Sequence, residues 1–523
     1  MPVLNWIGKD AVVNHDKEVP FRLLKKVKSA SVGENSQNLI IHGDNLEALK
    51  ALMPYYAGKI KCIYIDPPYN TGNEKWVYND KVNSPKIKKW IGKVVGPESE
   101  DLSRHDKWLC MMYPRLKLLR DLLGDDGVIF ASIDDWEFDY LKLIFDEIFD
   151  RKNHINTLIW RKNAGASNDV KYFGVEHEYI LCYARDINKV DRFLTSLSDK
   201  HRAEYKYRDA NFAKFGPYKR YNLYQPGIDE NRPNLQYEIE APDGSQISIK
   251  PHIWRYSKET FLQAKKEGKI DFVKNKKSGQ WQIFTKIYLH ETGKERRIKP
   301  RSILLEQGFT LNGNRELLKI FGKKVFNYPK PSSLIKYLIE IITHDYKDSI
   351  VLDSFAGTGT TGDAVIQLNK EDKGNRKFIL IEMEDKVAKD ITAERVKRVI
   401  KKYDYKDGFE YCELDKPLFD ENGQINEECT FEQLATYVYF TETNTNIDKN
   451  KISKEFIGEY NETEYYLLFN GKGKNVLDRN FLKKINKNEK KKVIYADKCL
   501  IDSRTLEKNK IVFKQIPYEV KVY

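Results

Sequence analysis

The stretch Ile63-Tyr64-Ile65-Asp66-Pro67-Pro68-Tyr69-Asn70-Thr71-Gly72 carries an apolar, β-rich run directly into a carboxylate, a proline pair and an aromatic ring. Proline has no N–H to give to a ladder, so a strand must end there. The prolines also fix the backbone, so the Asp66 carboxylate and the Pro67 carbonyl can face the same way. Two acceptors beside a flat ring make a socket for a planar group that carries an NH2. The exocyclic amine of a nucleobase is such a group. For the tetrapeptide alone, a strand followed by a Pro-Pro turn and a surface Tyr69 is an equal reading.

A second constellation lies far downstream, at Ser349-Ile350-Val351-Leu352-Asp353-Ser354-Phe355-Ala356-Gly357-Thr358-Gly359-Thr360-Thr361-Gly362. Again an apolar strand runs into a turn, here rich in glycine, and a helix follows at once. Glycines without Cβ atoms let a ligand lie against the backbone at a helix N-terminus. The next apolar run, Lys377 to Glu382, ends in an acid that could accept both ribose hydroxyls of a nucleoside. The turn also fits a dinucleotide fingerprint by spacing, and that reading stays open here. A phosphate-binding Walker A loop does not fit, because Asp363 stands where the lysine should be. A Gly-rich turn with a structural role alone is the remaining alternative.

A chain of 523 residues with 41% hydrophobic content supports several domains with real cores. Its net charge of +13 points to a polyanionic partner, though a merely basic protein would show it too. Residues 185–310 hold 26 Lys and Arg against 16 Asp and Glu, so most of the surplus sits there. Six scattered cysteines and nine unclustered histidines give no disulfide framework and no metal site, which fits a reducing compartment. Neither a signal peptide nor an apolar run long enough for a membrane span is present.

Along the chain, strands and helices alternate. Strand 39–41 leads to Asp44 and helix 46–56. Helix 105–123 contains Pro114, where a kink or break is expected. Strand 127–133, helix 136–149 and strand 178–184 complete the first half. The polar stretch between Asn70 and Arg104 reads as a functional loop whose Lys86, Lys88, Lys89 and Lys93 could touch phosphates. From 186 onward tyrosines interleave with cations, as in Tyr205-Lys206-Tyr207-Arg208 and Tyr218-Lys219-Arg220-Tyr221, a composition suited to nucleic-acid contact. Helix 332–344 and an amphipathic helix over 386–403 return to the α/β pattern. Beyond 406, short strands at 466–469, 492–495 and 510–513 read as a small separate module.

Together these features resemble the DNA amino-methyltransferases that use S-adenosylmethionine (AdoMet). In that family a DPPY tetrapeptide holds the target amine, matched here by Asp66-Pro67-Pro68-Tyr69, and an F-x-G-x-G turn holds AdoMet, matched by Phe355-Ala356-Gly357-Thr358-Gly359. The catalytic motif precedes the cofactor motif, as in the permuted β-type. Gly43-Asp44-Asn45, Trp108 through Arg115-Leu116, Asp126 through Asp135, and Phe326-Asn327-Tyr328-Pro329-Lys330-Pro331 follow in the family's order. Within the family, Asp66 through Gly72, Ser132-Ile133-Asp134-Asp135 and Val493 through Leu500 look most like the modification subunit of type III restriction-modification systems.

The resemblance implies a doubly wound α/β sheet. Residues 1–185 would form the catalytic half, 186–315 an inserted target-recognition domain, 316–405 the AdoMet-binding half, and 406–523 an α+β dimer or partner module. It implies an adenine-N6 methyltransferase acting on a flipped base in double-stranded DNA, with cytosine N4 the nearest alternative. An NAD-dependent oxidoreductase and a catalytically silent DNA-binding subunit are the alternatives from other classes. Asp44, Lys330, Asp353, Phe355, Gly357, Thr358, Gly359 and Glu382 would hold AdoMet. Asn70, Lys206, Arg208, Lys219 and Arg220 would contact DNA, and no metal is expected. A homodimer, a helicase/nuclease restriction partner and a cytoplasmic, nucleoid-associated location in a prokaryote complete the expectation.

Overall fold

The computed structural model describes residues 3–71, 100–165, 171–226, 232–249, 252–419, 425–426, 428–448, 452–471, 473–485 and 488–516. Lys86, Lys88, Lys89 and Lys93 lie outside the described residues. The chain divides into two compact units, one formed by Met1–Phe193 and Arg301–Tyr523, the other by Leu194–Pro300.

The larger unit is built on a ten-stranded sheet. Its strands are β1 (Arg22–Lys26), β2 (Leu39–His42), β3 (Ile60–Ile65), β4 (Leu123–Ile133), β5 (His154–Arg161), β6 (His177–Ala184), β7 (Ile303–Leu304), β8 (Ile350–Asp353), β9 (Lys377–Glu382) and β10 (Glu410–Pro417). They stand in the order β1-β10-β2-β9-β8-β3-β4-β6-β5-β7. The block from β10 through β4 is parallel throughout, and β6 reverses against β4. Parallel strands need cover on both faces, and their sequences show it. On one face Ile63, Ile65, Ile129, Leu352 and Ile379 pack under helices α1 (Asn45–Tyr56), α2 (Glu100–Leu122) and α3 (Phe138–Phe149). The alternate residues Cys62, Tyr64, Phe130, Val351 and Phe378 pack under α4 (Ser332–Thr343), α5 (Thr360–Asp372) and α6 (Glu394–Tyr403). This is a three-layer, doubly wound α/β architecture.

Four details depart from the sequence reading. Helix α2 runs unbroken through Pro114. Pro114 leaves the Cys110 carbonyl without its helical N–H, and the Arg115 guanidinium donates to the neighbouring Met111 carbonyl at 2.7 Å. The helix expected over 386–403 is interrupted by a π-helical segment, Ala388–Ala393, ahead of α6. Residues 303–304, expected within the insertion, pair with β5 instead, and the compact inserted unit ends at Pro300. The region after 406 is not detached either. Glu410–Pro417 is an inner strand, parallel to β2 and antiparallel to β1. Without it β2 would present an open edge, which parallel sheets cover. The C-terminal four-stranded sheet (Phe456–Tyr460, Thr463–Leu467, Lys491–Ala496, Ile511–Gln515) shares a core with Phe21 and Leu23 from the start of the chain.

The inserted unit has its own small core around Leu223, Trp254, Phe261 and Ile283. Its main sheet is an antiparallel trio, Ile270–Lys274, Trp281–Tyr288 and Tyr218–Asn222. No helix among the described residues is long and apolar enough to cross a membrane.

Gly408 shows how tightly β10 is joined. Its carbonyl accepts from Ser36 Oγ and Asn38 Nδ2, both at 2.8 Å, and a Cβ built there would fall 1.7 Å from the Val32 carbonyl. Gly408→Ala should therefore cost about 1–3 kcal/mol of stability, read as a lowered urea midpoint with an unchanged slope. Truncation after residue 405, which removes β10, should abolish folding of the larger unit rather than free a module.

Candidate active site

Strands β3 and β8 are direct neighbours, with Ile63 opposite Leu352. Their parallel pairing brings Asp66 and the glycine turn to the same end of the sheet, the carboxyl end where open α/β sheets bind ligands. The tetrapeptide after β3 is pinned from several elements. Trp108 Nε1 of α2 donates to the Pro68 carbonyl at 2.7 Å. Asn70 takes a left-handed φ of 60°, is buried, and donates from Nδ2 to Glu137 Oε1 at 2.5 Å. His105 Nδ1 lies 2.7 Å from the same oxygen. The Glu137 side chain has no exposed surface, and burial pushes its carboxyl up to about 8.

Around Asp66 the charges are compensated. Lys330 Nζ donates to Asp66 Oδ1 and Oδ2 at 2.8 and 2.7 Å and to Tyr69 Oη at 2.9 Å. The Tyr69 hydroxyl lies 2.9 Å from Asp66 Oδ1 and 3.0 Å from Glu178 Oε2. Glu178, at the start of β6, lies 3.4 Å from Lys330 and 3.3 Å from Lys162. Burial pushes the Asp66 carboxyl up, against the pull of the Lys330 ammonium. Burial opposes ionisation of Glu178 too, yet Lys330 and Lys162 hold it below the ordinary glutamate value.

The turn after β8 is shaped by hydrogen bonds to acids. Asp353 accepts from the Phe355 N–H at 3.0 Å and from Thr361 Oγ1 at 2.5 Å, so it ties the strand to the helix. Glu382 accepts the Gly357 N–H at 2.8 Å and the Glu384 N–H at 3.0 Å. Burial pushes both carboxyls up to about 7. Gly357 and Gly359 have φ of 49° and 74°, in the left-handed region. Their surroundings differ. A Cβ on Gly359 would meet the Thr392 carbonyl at 3.1 Å, whereas one on Gly357 would meet nothing of the chain closer than 3.9 Å. The space over Gly357 is thus open to a ligand. Thr392, in the π-helical segment, donates to the Gly357 carbonyl at 2.5 Å, an irregularity of the kind found at functional sites. Beside Glu382, a cavity of about 650 Å³ is lined by His42, Gly43, Asp44 and Met383 among others.

The family model described as DNA methylase matches residues 60–394, from the start of β3 into α6. The chain belongs to the DNA methylase family. It is 32% identical over 465 residues to the Mod subunit of the type III restriction-modification enzyme EcoPI of Escherichia phage P1, covering 76% of this chain and 68% of that one. It is 31% identical to the StyLTI Mod subunit of Salmonella typhimurium, where it spans 60% of that subunit's length. The type II methyltransferase M.KpnI of Klebsiella pneumoniae is 30% identical, with 70% of this chain and 85% of that one covered.

Within this DNA methylase chain the residues expected at the site fall into four groups. Asp66, Tyr69 and Lys330 come together, with the Lys330 ammonium on the Asp66 carboxylate. Gly357, Thr358, Gly359, Phe355 and Glu382 share the turn. Phe355 and Thr358 are buried, and Thr358 Oγ1 accepts from Arg395 at 3.0 Å. Asp44 caps α1 through the Leu46 N–H at 2.8 Å and lies 3.3 Å from Arg115. In the inserted unit Arg220 is paired with Asp271 at 2.7 Å and stacked 4.0 Å over Tyr207, and Lys219 is paired with Glu204 at 2.7 Å. Lys206 and Arg208 lie over Tyr207 and Phe212. The interleaved cations and rings are therefore partly spent on one another. Glu178, Glu137 and Trp108 were missed as site residues. An acid heading the apolar run of β6 was the available signal for Glu178, as it was for Asp66 and Glu382 at the ends of theirs.

Because Glu137 is more easily protonated in the folded state than in the unfolded chain, its ionisation opposes folding as pH rises from about 4.5 to about 8. Glu137→Gln should be stabilised relative to wild type across that window, with the difference growing by up to about 1.4 kcal/mol per pH unit. Below pH 4 the difference should be flat. Chemical denaturation at a series of pH values measures it.

Proposed function

We propose that this chain transfers a methyl group from AdoMet to the N6 amine of an adenine flipped out of duplex DNA. One observation carries the reading: an amine-accepting socket and an open glycine turn stand at the carboxyl ends of two adjacent parallel strands. AdoMet, when bound, supplies a methyl group already activated on a positively charged sulfur. The residues of the chain have the remaining task of aligning the nucleophile. Open space over Gly357 fits the cofactor, and Glu382 can exchange the Gly357 N–H for ribose hydroxyls. Asp66 and the Pro67 carbonyl would accept the two N–H bonds of the amine and draw its lone pair out of conjugation with the ring. The Asp66 carboxylate would also stabilise the positive charge that develops on nitrogen. Such alignment is worth up to about 7–11 kcal/mol in favourable cases. Flipping costs a few kcal/mol (roughly), part of which stacking on the Tyr69 ring offsets.

The similarity to three Mod subunits supports a role as the modification subunit of a type III-like system. In that role it would act as a homodimer, with a second polypeptide supplying helicase and nuclease functions for restriction. The inserted unit, rich in cations, would set sequence preference. Relatedness to M.KpnI over most of that enzyme supports the second reading, a type II methyltransferase acting alone.

Asp66→Ala should lose at least 100-fold in methyl transfer while binding AdoMet as wild type does in calorimetric titration. A fully active Asp66→Ala enzyme would overturn the mechanism. Gly357→Val should abolish AdoMet binding, because a branched residue is strained at that φ and fills the ligand's space. Mass spectrometry of treated DNA should find N6-methyladenine; N4-methylcytosine alone would overturn the base assignment. Affinity for duplex DNA should fall steeply between 50 and 200 mM salt, on the order of tenfold or more.

A further inference from the structure

The acceptor carboxylate faces an electrostatic difficulty. The Asp66 side chain is 26% exposed and the rest of it is covered by protein, and the amine it would receive is neutral, so the amine cannot replace a counter-charge. An uncompensated buried carboxylate is costly and tends to take up a proton, which would spoil it as an acceptor. In the structure the counter-charge is Lys330, and its ammonium occupies the side of Asp66 that an incoming amine needs: both carboxylate oxygens are engaged, at 2.8 and 2.7 Å. The same ammonium lies 3.4 Å from a second carboxylate, Glu178, which the Tyr69 hydroxyl links to Asp66. Lys162 gives Glu178 a counter-charge of its own, so two ammonium groups balance two carboxylates. Lys330 and Glu178 side chains are each only 9% exposed, which keeps the exchange inside the protein.

We propose that Lys330 and Glu178 form an exchange pair: Lys330 holds the amine-accepting face of Asp66 while the site is empty, and moves its hydrogen bonds to Glu178 when the base enters. Glu178 is then a positioning residue, acting through Lys330 and Tyr69. The move is short, since the recipient carboxylate is already within ion-pair distance. It leaves the positive charge beside Asp66, so the carboxylate stays ionised as it passes from an ammonium to an amine. It also screens what enters, because only a group that offers two N–H donors to Asp66 and Pro67 replaces what the ammonium gives up. This inference rests on the reading of Asp66 as the amine acceptor.

The test uses the full chain and a duplex carrying 2-aminopurine next to the target adenine, whose fluorescence rises as that adenine leaves the stack and so reports base capture separately from chemistry. Single-turnover methyl transfer is measured alongside, and AdoMet titration reports the fold. Glu178→Gln strands Lys330 on Asp66. It should lower base capture and single-turnover rate at least tenfold with AdoMet affinity within about twofold of wild type. Adding Lys330→Met to Glu178→Gln frees the face of Asp66 but removes its counter-charge, so the double variant should capture poorly near neutral pH and recover as pH is raised, while the single variant should not, a difference that a merely structural glutamate would not give. Glu178→Asp, which keeps the charge at a longer reach, should fall between, and it serves in place of Glu178→Gln if that variant does not bind AdoMet. Unchanged capture in the single variant, or a double variant whose capture stays low as pH is raised, overturns the exchange and leaves the function standing. A wild type that methylates no duplex removes both.

Discussion

The parallel ladder between Ile60–Ile65 and Ile350–Asp353 is the constraint on which the site depends. Parallel strands cannot be joined by a tight turn, so each must be followed by a crossover that returns to the other end of the sheet. Every strand of the parallel block therefore delivers its following turn to one edge. A carboxylate ending one strand and a glycine turn ending its neighbour are thereby brought side by side, although they are far apart in the chain. The covering helices then fix what the ladder brings together: α2 holds Pro68 through Trp108, and the π-helical segment before α6 holds Gly357 through Thr392.

The acids at this edge share a physical situation. Asp66, Asp353, Glu382 and Glu137 all feel burial as the first influence on ionisation, and each answers it with a different partner. Asp353 and Glu382 accept backbone N–H groups and a hydroxyl, which makes them part of the turn's own scaffold. Glu137 accepts from Asn70 and thereby fixes the chain direction just after the tetrapeptide. Asp66 is matched by a full counter-charge, the Lys330 ammonium. Partners that hold shape and a partner that holds charge thus sit within one cluster of strand ends, and the roles of the acids follow from which kind each has.

The sequence by itself determined the local grammar. Proline after Asp66 ended a strand, unbroken apolar runs marked the strands themselves, and glycines ahead of an apolar helix marked the turn at 357–359. These signals act over a few residues, through backbone donors, steric limits and side-chain period, and so they are legible in order along the chain. What the tertiary structure alone decided were contacts between distant segments. Lys330 lies against Asp66 because the stretch ahead of α4 crosses the end of β3, and nothing local to Pro329-Lys330-Pro331 says so. Glu178 enters the site because β6 runs antiparallel to β4, so its first residues, not its last, reach the ligand-binding edge. Glu410–Pro417 reads as the start of a separate module, yet it closes the open side of β2, because an unpaired strand edge recruits whatever segment can reach it. Strand order and direction are settled by the joint burial of a whole sheet, and that is a property of no single stretch of sequence.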